Sequence, residues 1–178
     1  GLGVLALGVA PYWSSIGGWL ETMAVYNREW HYNSGVWGLL RGLLDLVAPE
    51  RSAGVAAWIC RLGTLVVAFV VWRRDDGSPR AAYRGAFFIL AALVLLSPAV
   101  MPWYLLWALP FAVIAGFPAW AVLCALSLLS YSFYAGEVEQ VWWRVVEYGG
   151  FLVAWAWQRR TMPSIVAHDD GAAANSLG

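Results

Sequence analysis

The chain contains no lysine. Its 11 basic residues are all arginine, and 11 acidic residues balance them to a formal net charge of zero. A chain with no positive excess lacks the electrostatic footprint of a nucleic-acid binder, so no nucleic-acid partner is expected. Charged residues are only 12% of 178, too few to cover a water-soluble domain. Cysteine is equally sparse: Cys60 and Cys124 stand alone inside apolar runs, with no C-x-x-C pair. No Cys/His ligand spacing accompanies them, so no metal site or disulfide framework is expected, and both read as small buried apolar side chains. A Gly-rich phosphate cradle is missing too, and no cofactor is expected. No charged n-region precedes the first apolar run, so that run is not expected to be a signal peptide. The sequence starts at Gly1 within that run, and we expect it to be the C-terminal part of a longer protein.

What is abundant is grease and indole. The composition is 61% hydrophobic with 13 tryptophans, and the mean hydropathy is +0.63. That composition predicts an all-α, multi-span transmembrane helical bundle. Residues 1–13 are too short to span, since a crossing needs roughly 20 residues, and read as a partial transmembrane helix. Residues 14–53 read as an extracytoplasmic loop with amphipathic helices. Ile16, Trp19, Leu20 and Met23 fall on one side of the first of these helices. Asn33 or Ser34 is placed to cap a second, over 35–47, on which Arg41 and Asp45 are four apart and can pair. Residues 54–158 predict five spans, over 54–72, 85–98, 103–116, 119–134 and 143–158. Residues 159–178 lack an apolar pattern and read as a disordered cytoplasmic tail.

Arginine distribution orients the bundle. Arg73, Arg74, Arg80 and Arg84 share one loop, and Arg159 and Arg160 follow the last span. With five spans the two clusters fall on one side, which the positive-inside rule makes cytoplasmic. Residues 14–53, the turn at 97–103 and the loop at 135–142 then face outward.

The two halves of the bundle meet at Ser97-Pro98-Ala99-Val100-Met101-Pro102-Trp103-Tyr104. Neither proline carries a helix on from before it, and Pro102 suits the first turn of a new helix. Trp103, Tyr104 and Trp107 are aromatics of the kind that mark a membrane–water boundary. The string SPAVMPWYLLWALPF resembles the S-P-x-x-H-P-W-Y-L-L-W-x-L-P segment of bacterial polyprenyl-phosphate-sugar-dependent glycosyltransferases of the GT-C fold. The mannosyltransferase-like members are the most similar. Met101 stands where that family has His. Trp30-His31-Tyr32-Asn33-Ser34 is similar, more loosely, to the family's W-x-F-N-S. The resemblance implies an integral inner-membrane enzyme with an extracytoplasmic active face. It would move a hexose, mannose first among them, from a polyprenyl-phosphate carrier to a glycan or glycolipid. It also implies that the catalytic base lies upstream of Gly1, so the catalytic residue is unknown here.

Several residues are candidates for such a site. Arg61 lies within a predicted span, where a charge costs about 2.5–3.5 kcal/mol and so wants a partner or a cavity. Its planar guanidinium suits a lipid-carrier phosphate; the alternatives are a structural pair with Glu147 or snorkelling to the interface. Arg144 is a second candidate for the lipid phosphate, or simply pairs with Glu147 three residues on. Trp30, His31, Tyr32, Asn33, Trp103, Tyr104 and Glu147 are candidates for substrate binding: sugar rings stack on aromatics and hydrogen-bond to polar neighbours. Interface anchoring is the competing reading for the aromatics. Broken helices and an intramembrane arginine also suit a non-catalytic membrane protein, such as a lipid-carrier transporter or an envelope-assembly subunit. A topology reporter inserted after Arg74 is expected to report cytoplasm, and one inserted after Ser97 the opposite side; Ser97 on the cytoplasmic side would invert the scheme.

Overall fold

The structure is a computed structural model that describes residues 10–29, 31–135 and 141–161. Among them it is all-helical, with seven α-helices, two 3₁₀ segments and no strand. The chain divides into two compact units, residues 1–32 and 33–178. The first holds a 3₁₀ segment, Ala10–Ser15, and helix α1, Ile16–Glu29. Trp19, Leu20 and Val25 are all exposed on α1, together with Glu21 and Thr22. The Thr22 hydroxyl donates back to the Gly18 carbonyl at 2.9 Å.

The second unit contains α2 (Val36–Asp45), α3 (Ser52–Arg73), α4 (Pro79–Leu95), α5 (Pro102–Ile114), α6 (Ala119–Ser127) and α7 (Val141–Thr161). Each helix packs on the next in sequence. On α2, Arg41 and Asp45 form the expected i,i+4 pair at 3.8 Å. The cap is different from the expectation: Gly35 is the N-cap, with no side-chain hydrogen bond. Asn33 and Ser34 are engaged elsewhere, as described below.

Local sequence explains the other helix ends. Helix α4 starts on a Ser78 cap, whose hydroxyl accepts from Ala81 N–H at 3.1 Å, with Pro79 in the first turn. Just before it, the Ser78 side chain and backbone N–H hold the Asp76 carboxyl below its usual range. Helix α5 begins at Pro102, as its missing N–H favours. It ends in a Schellman turn: Phe117 N–H reaches Ala112 O at 2.8 Å and Gly116 N–H reaches Val113 O at 3.2 Å. Gly116 adopts φ +74°, the left-handed conformation such a turn demands. Pro118 then starts the chain back along α6.

The main core lies where α4, α5, α6 and α7 meet. Phe87 stacks on Phe117 with centroids 4.9 Å apart and meets the edge of Trp120 at 5.3 Å. Phe151 closes on Trp120 at 6.2 Å. Trp120 Nε1 donates to Leu105 O at 2.9 Å, tying α6 to α5. The proline-framed stretch is no surface turn: Ala99, Val100, Met101 and Pro102 are all buried. A smaller cluster of Trp37, Ala56 and Cys60 joins α2 to α3.

Among the described helices only α3 is both long and apolar enough to cross a membrane. Its 22 residues extend about 33 Å against a hydrocarbon core of about 30 Å. Two of the other expected spans are interrupted for physical reasons. Helix α7 has the length but carries Arg144, Glu147, Gln158, Arg159 and Arg160. The expected span over 119–134 changes to a 3₁₀ segment at Leu128. There Ser127 and Ser130 each bond a carbonyl three residues back, at 2.8 and 2.6 Å, and tighten the winding. The first residues of the expected tail, Arg159 to Thr161, belong to α7; residues 162–178 lie outside the described residues, as do 1–9.

Gln158 clamps the α5–α6 turn. Its Oε1 accepts from Ala119 N–H at 3.2 Å and its Nε2 donates to Gly116 O at 2.8 Å. Helix α4 begins and α7 ends at the level of this turn, since Tyr83 lies against Phe111 and Phe88 against Phe117. Helix α3 finishes there too, where Val71 approaches so closely that a Cβ on Gly85 would come within 2.7 Å. Arg80 and Arg84, expected in a loop, lie in the first turns of α4, while Arg73 ends α3 and Arg74 follows it; these four and the arginines at the α7 C-terminus sit at one end of this unit. Replacing Gln158 by Leu is expected to lower stability by about 1–2 kcal/mol, because two backbone groups lose their partner. Thermal unfolding of the detergent-solubilised chain checks this; an unchanged midpoint would show that the clamp carries no weight.

Candidate functional site

At the opposite end of α7 from the arginines lies a cluster of buried polar side chains, Asn33, Ser34 and Glu147. It starts with Asn33, which takes φ +46°, a left-handed conformation that asparagine tolerates better than other non-glycine residues. That turn sends its side chain inward, where it is 2% exposed. Asn33 Nδ2 donates to Glu147 Oε2 at 2.8 Å, across 114 residues of sequence. The next residue on α7 grips the same asparagine, with the Tyr148 hydroxyl donating to Asn33 O at 3.0 Å.

Two glycines make room for this arrangement. A Cβ on Gly35 would lie 2.5 Å from Tyr148 Cζ, so the phenol ring rests on bare backbone. A Cβ on Gly38 would lie 2.8 Å from Ser34 Oγ and 3.4 Å from an Arg144 terminal nitrogen. The Arg144 guanidinium thus lies against the first turn of α2, beside buried Ser34. Arg144, Glu147 and Tyr148 share a face of α7 because three- and four-residue separations bring side chains into register.

Glu147 is the chemical centre. Its side chain is wholly buried. One oxygen is answered by Asn33; Oε1 has no hydrogen-bond partner among the described residues. A buried carboxylate oxygen left unanswered is costly, on the order of 1–3 kcal/mol or more, so it marks a place where a donor belongs. A hydroxyl or a water meets that need, and the neighbouring guanidinium offers a place for a phosphate.

The structure therefore brings Asn33, Arg144 and Glu147 together, and adds Ser34 and Tyr148. The other candidate residues lie elsewhere. Arg61 is exposed on α3, and its guanidinium sits 5.3 Å over the Trp58 ring. The alternative pair with Glu147 is not formed; Arg61 meets an aromatic face one turn away instead. Trp103 is exposed and packs against Tyr104 at 5.8 Å and Tyr131 at 6.4 Å. Tyr104 stacks further on Trp107 at 4.8 Å and joins the edge of the main core. His31 is half-buried and Tyr32 buried, both within the first unit; Trp30 lies outside the described residues. Among the described residues no group of His, Cys, Asp and Glu is arranged to hold a metal.

The bond from Asn33 to Glu147 was not legible from spacing, because a contact over so many residues has no periodic signature. Its one advance signal was a carboxylate in an otherwise apolar helix, which must find a partner. No protein-family model, curated protein or solved structure matches the chain.

Removing the donor and removing the charge should act differently. Asn33→Leu strips the carboxylate of its only hydrogen bond in the described structure and is expected to cost about 2 kcal/mol. Glu147→Gln keeps a carbonyl for Asn33 while removing the buried charge, and is expected to be near-neutral or stabilising. Thermal unfolding of both variants and the double variant measures the coupling; additive effects would show that the two side chains do not interact.

Proposed function

We propose that this chain forms part of the lipid-embedded bundle of a polyprenyl-phosphate-sugar-dependent glycosyltransferase, and that the Asn33–Glu147–Arg144 cluster contacts its substrates. The observation that carries the reading is the open Oε1 of buried Glu147 beside the Arg144 guanidinium. The cluster joins the two segments that chemistry would recruit, the W-x-Y-N-S stretch and the polar start of the last helix.

The multi-span membrane setting is part of the proposal. It draws support from apolar side chains turned outward on several helices, among them Leu65 and Phe69 on α3, Leu93 on α4, Leu106 on α5 and Val153 on α7. Grease on that scale is more stable against lipid than against water, at about 25 cal/mol per Å² of apolar area. In this setting the arginine end faces the cytoplasm and Glu147 faces the outer leaflet.

The reaction assigns plain roles. The acceptor hydroxyl attacks the anomeric carbon of the carrier-bound hexose and gives its proton to a general base supplied by the rest of the enzyme; the new C–O bond forms, and the bond from that carbon to the phosphate oxygen breaks. The carrier phosphate leaves with the electron pair. Arg144 stabilises the charge that develops on it. Glu147 Oε1 accepts from a sugar hydroxyl and fixes the ring for in-line attack. Asn33 is a positioning residue that holds Glu147. Arg61, exposed on α3, is placed to meet a lipid phosphate approaching from the bilayer.

The test is genetic and enzymatic. The gene is deleted in its source organism and complemented with the wild-type gene or with Glu147→Gln or Arg144→Leu. Membranes are then given radiolabelled polyprenyl-phosphate mannose, and label entering envelope glycan is counted. Deletion is expected to abolish transfer, the wild type to restore it, and each variant to lower it about 10- to 100-fold. Transfer that survives deletion in isolated membranes but fails in whole cells would assign carrier transport instead; transfer unaffected in both would end the proposal.

A further inference from the structure

A separate feature lies at the arginine end. Helices α4 and α7 stand apart there and leave an apolar groove of about 170 Å³. Phe87, Phe88 and Ala91 form one wall, Phe151 and Trp155 the other, and Trp120 the floor. The groove opens outward: Phe88 is 36% and Trp155 38% exposed. From Phe88 to Leu95, which also lines it, the groove runs about 10 Å along α4 at 1.5 Å per residue. An apolar void of this size takes hydrocarbon rather than water.

The mouth is marked by charge. Arg84 lies one turn before Phe88 on the same face of α4 and is exposed. Arg159 lies one turn after Trp155 on α7, and its guanidinium sits 5.1 Å over that indole. Because α4 starts and α7 ends at the level of the α5–α6 turn, the two arginines stand at one end of the groove. Each wall thus ends in an aromatic and then an arginine, both on the side facing out of the unit.

We propose that this groove holds one acyl chain of an anionic glycerophospholipid, with the lipid phosphate met by Arg84 and Arg159. The occupant follows from charge complementarity: a hydrocarbon-lined channel about 10 Å long capped by two guanidiniums matches an acyl chain carrying a phosphate. A zwitterionic lipid would fill the groove equally well but bring no net negative charge to the mouth. The charged mouth is about 18 Å from Glu147 along α7, counting the twelve residues to Arg159, and the proposal stands or falls independently of glycosyl transfer.

The full chain, purified in zwitterionic detergent, is titrated with phosphatidylglycerol or with phosphatidylcholine of the same acyl composition, and bound lipid is counted by native mass spectrometry. Phosphatidylglycerol is expected to bind at least tenfold more tightly. Arg84→Gln with Arg159→Gln, both at exposed positions, is expected to remove that preference, a loss of roughly 10- to 30-fold. Ala91→Phe fills the groove and should abolish binding of both lipids. Should that variant fail to fold, equimolar phosphatidylglycerol with brominated acyl chains should quench tryptophan emission in the wild type and much less in Trp155→Phe. Equal affinity for the two lipids, binding unchanged in the double arginine variant, or inorganic phosphate competing as well as the lipid would each overturn the proposal.

Discussion

The hydrogen bond from Asn33 to Glu147 is the constraint on which the second unit turns. Its helices otherwise pack as sequence neighbours, α2 on α3 and so on to α7. Such a run has no reason to close: nearest-neighbour packing alone would tolerate many placements of the last helix against the first. Asn33 and Tyr148 supply the closure, with two hydrogen bonds that link the start of the unit to α7. The glycines at 35 and 38 let the backbones come near enough for those bonds to form. At the other end, Gln158 fixes α7 to the turn between α5 and α6. One helix is thereby pinned at two levels by polar side chains, with aromatic packing between them.

In the membrane setting proposed above, polar ties matter more than in a water-soluble protein. Where helices are surrounded by hydrocarbon, burying Leu against Leu gains little over leaving it against lipid. Specific position then comes from close packing of small residues and from hydrogen bonds whose alternative is an unanswered polar group. The structure uses both. Gly85 admits Val71 of α3, and Gly150 admits Leu126 of α6, at distances that a Cβ would not permit. Trp120, Gln158 and Asn33 each direct a polar group to a defined acceptor across helices.

Much of the local structure was legible in the sequence, because local structure is written in local chemistry. Pro102 states a helix start, and Gly116-Phe117-Pro118 a stop and return; Ser78-Pro79 read only as a turn, although the serine caps a helix that begins there. The length and apolarity of α3 were equally plain. Legibility failed where a side chain had a distant competitor. Asn33 and Ser34 read as caps for α2, yet a buried carboxylate on α7 claims Asn33 and leaves Gly35 at the helix start. The stretch after Ala119 read as one span, since apolar periodicity does not register two serines bonding backwards and shifting the helix type. Of the candidate site, the residue types were visible but the grouping was not. Arg61 drew attention as a charge among apolar neighbours, and a single tryptophan one turn away accommodates it.

Glu147 and Gln158 lie on the same helix and can be compared directly. Gln158 is a structural answer: its oxygen accepts from one backbone group and its nitrogen donates to another. If position 147 served only to hold Asn33, a glutamine would do it with the same reach and without the several kcal/mol that a buried charge costs. Glutamate instead leaves a buried Oε1 unanswered. Such a group weakens the fold on its own account and strengthens it only when something donates to it. The side chain at 147 is thus better matched to a donor from outside the cluster than to the residues that surround it, and the proposed function builds on that mismatch.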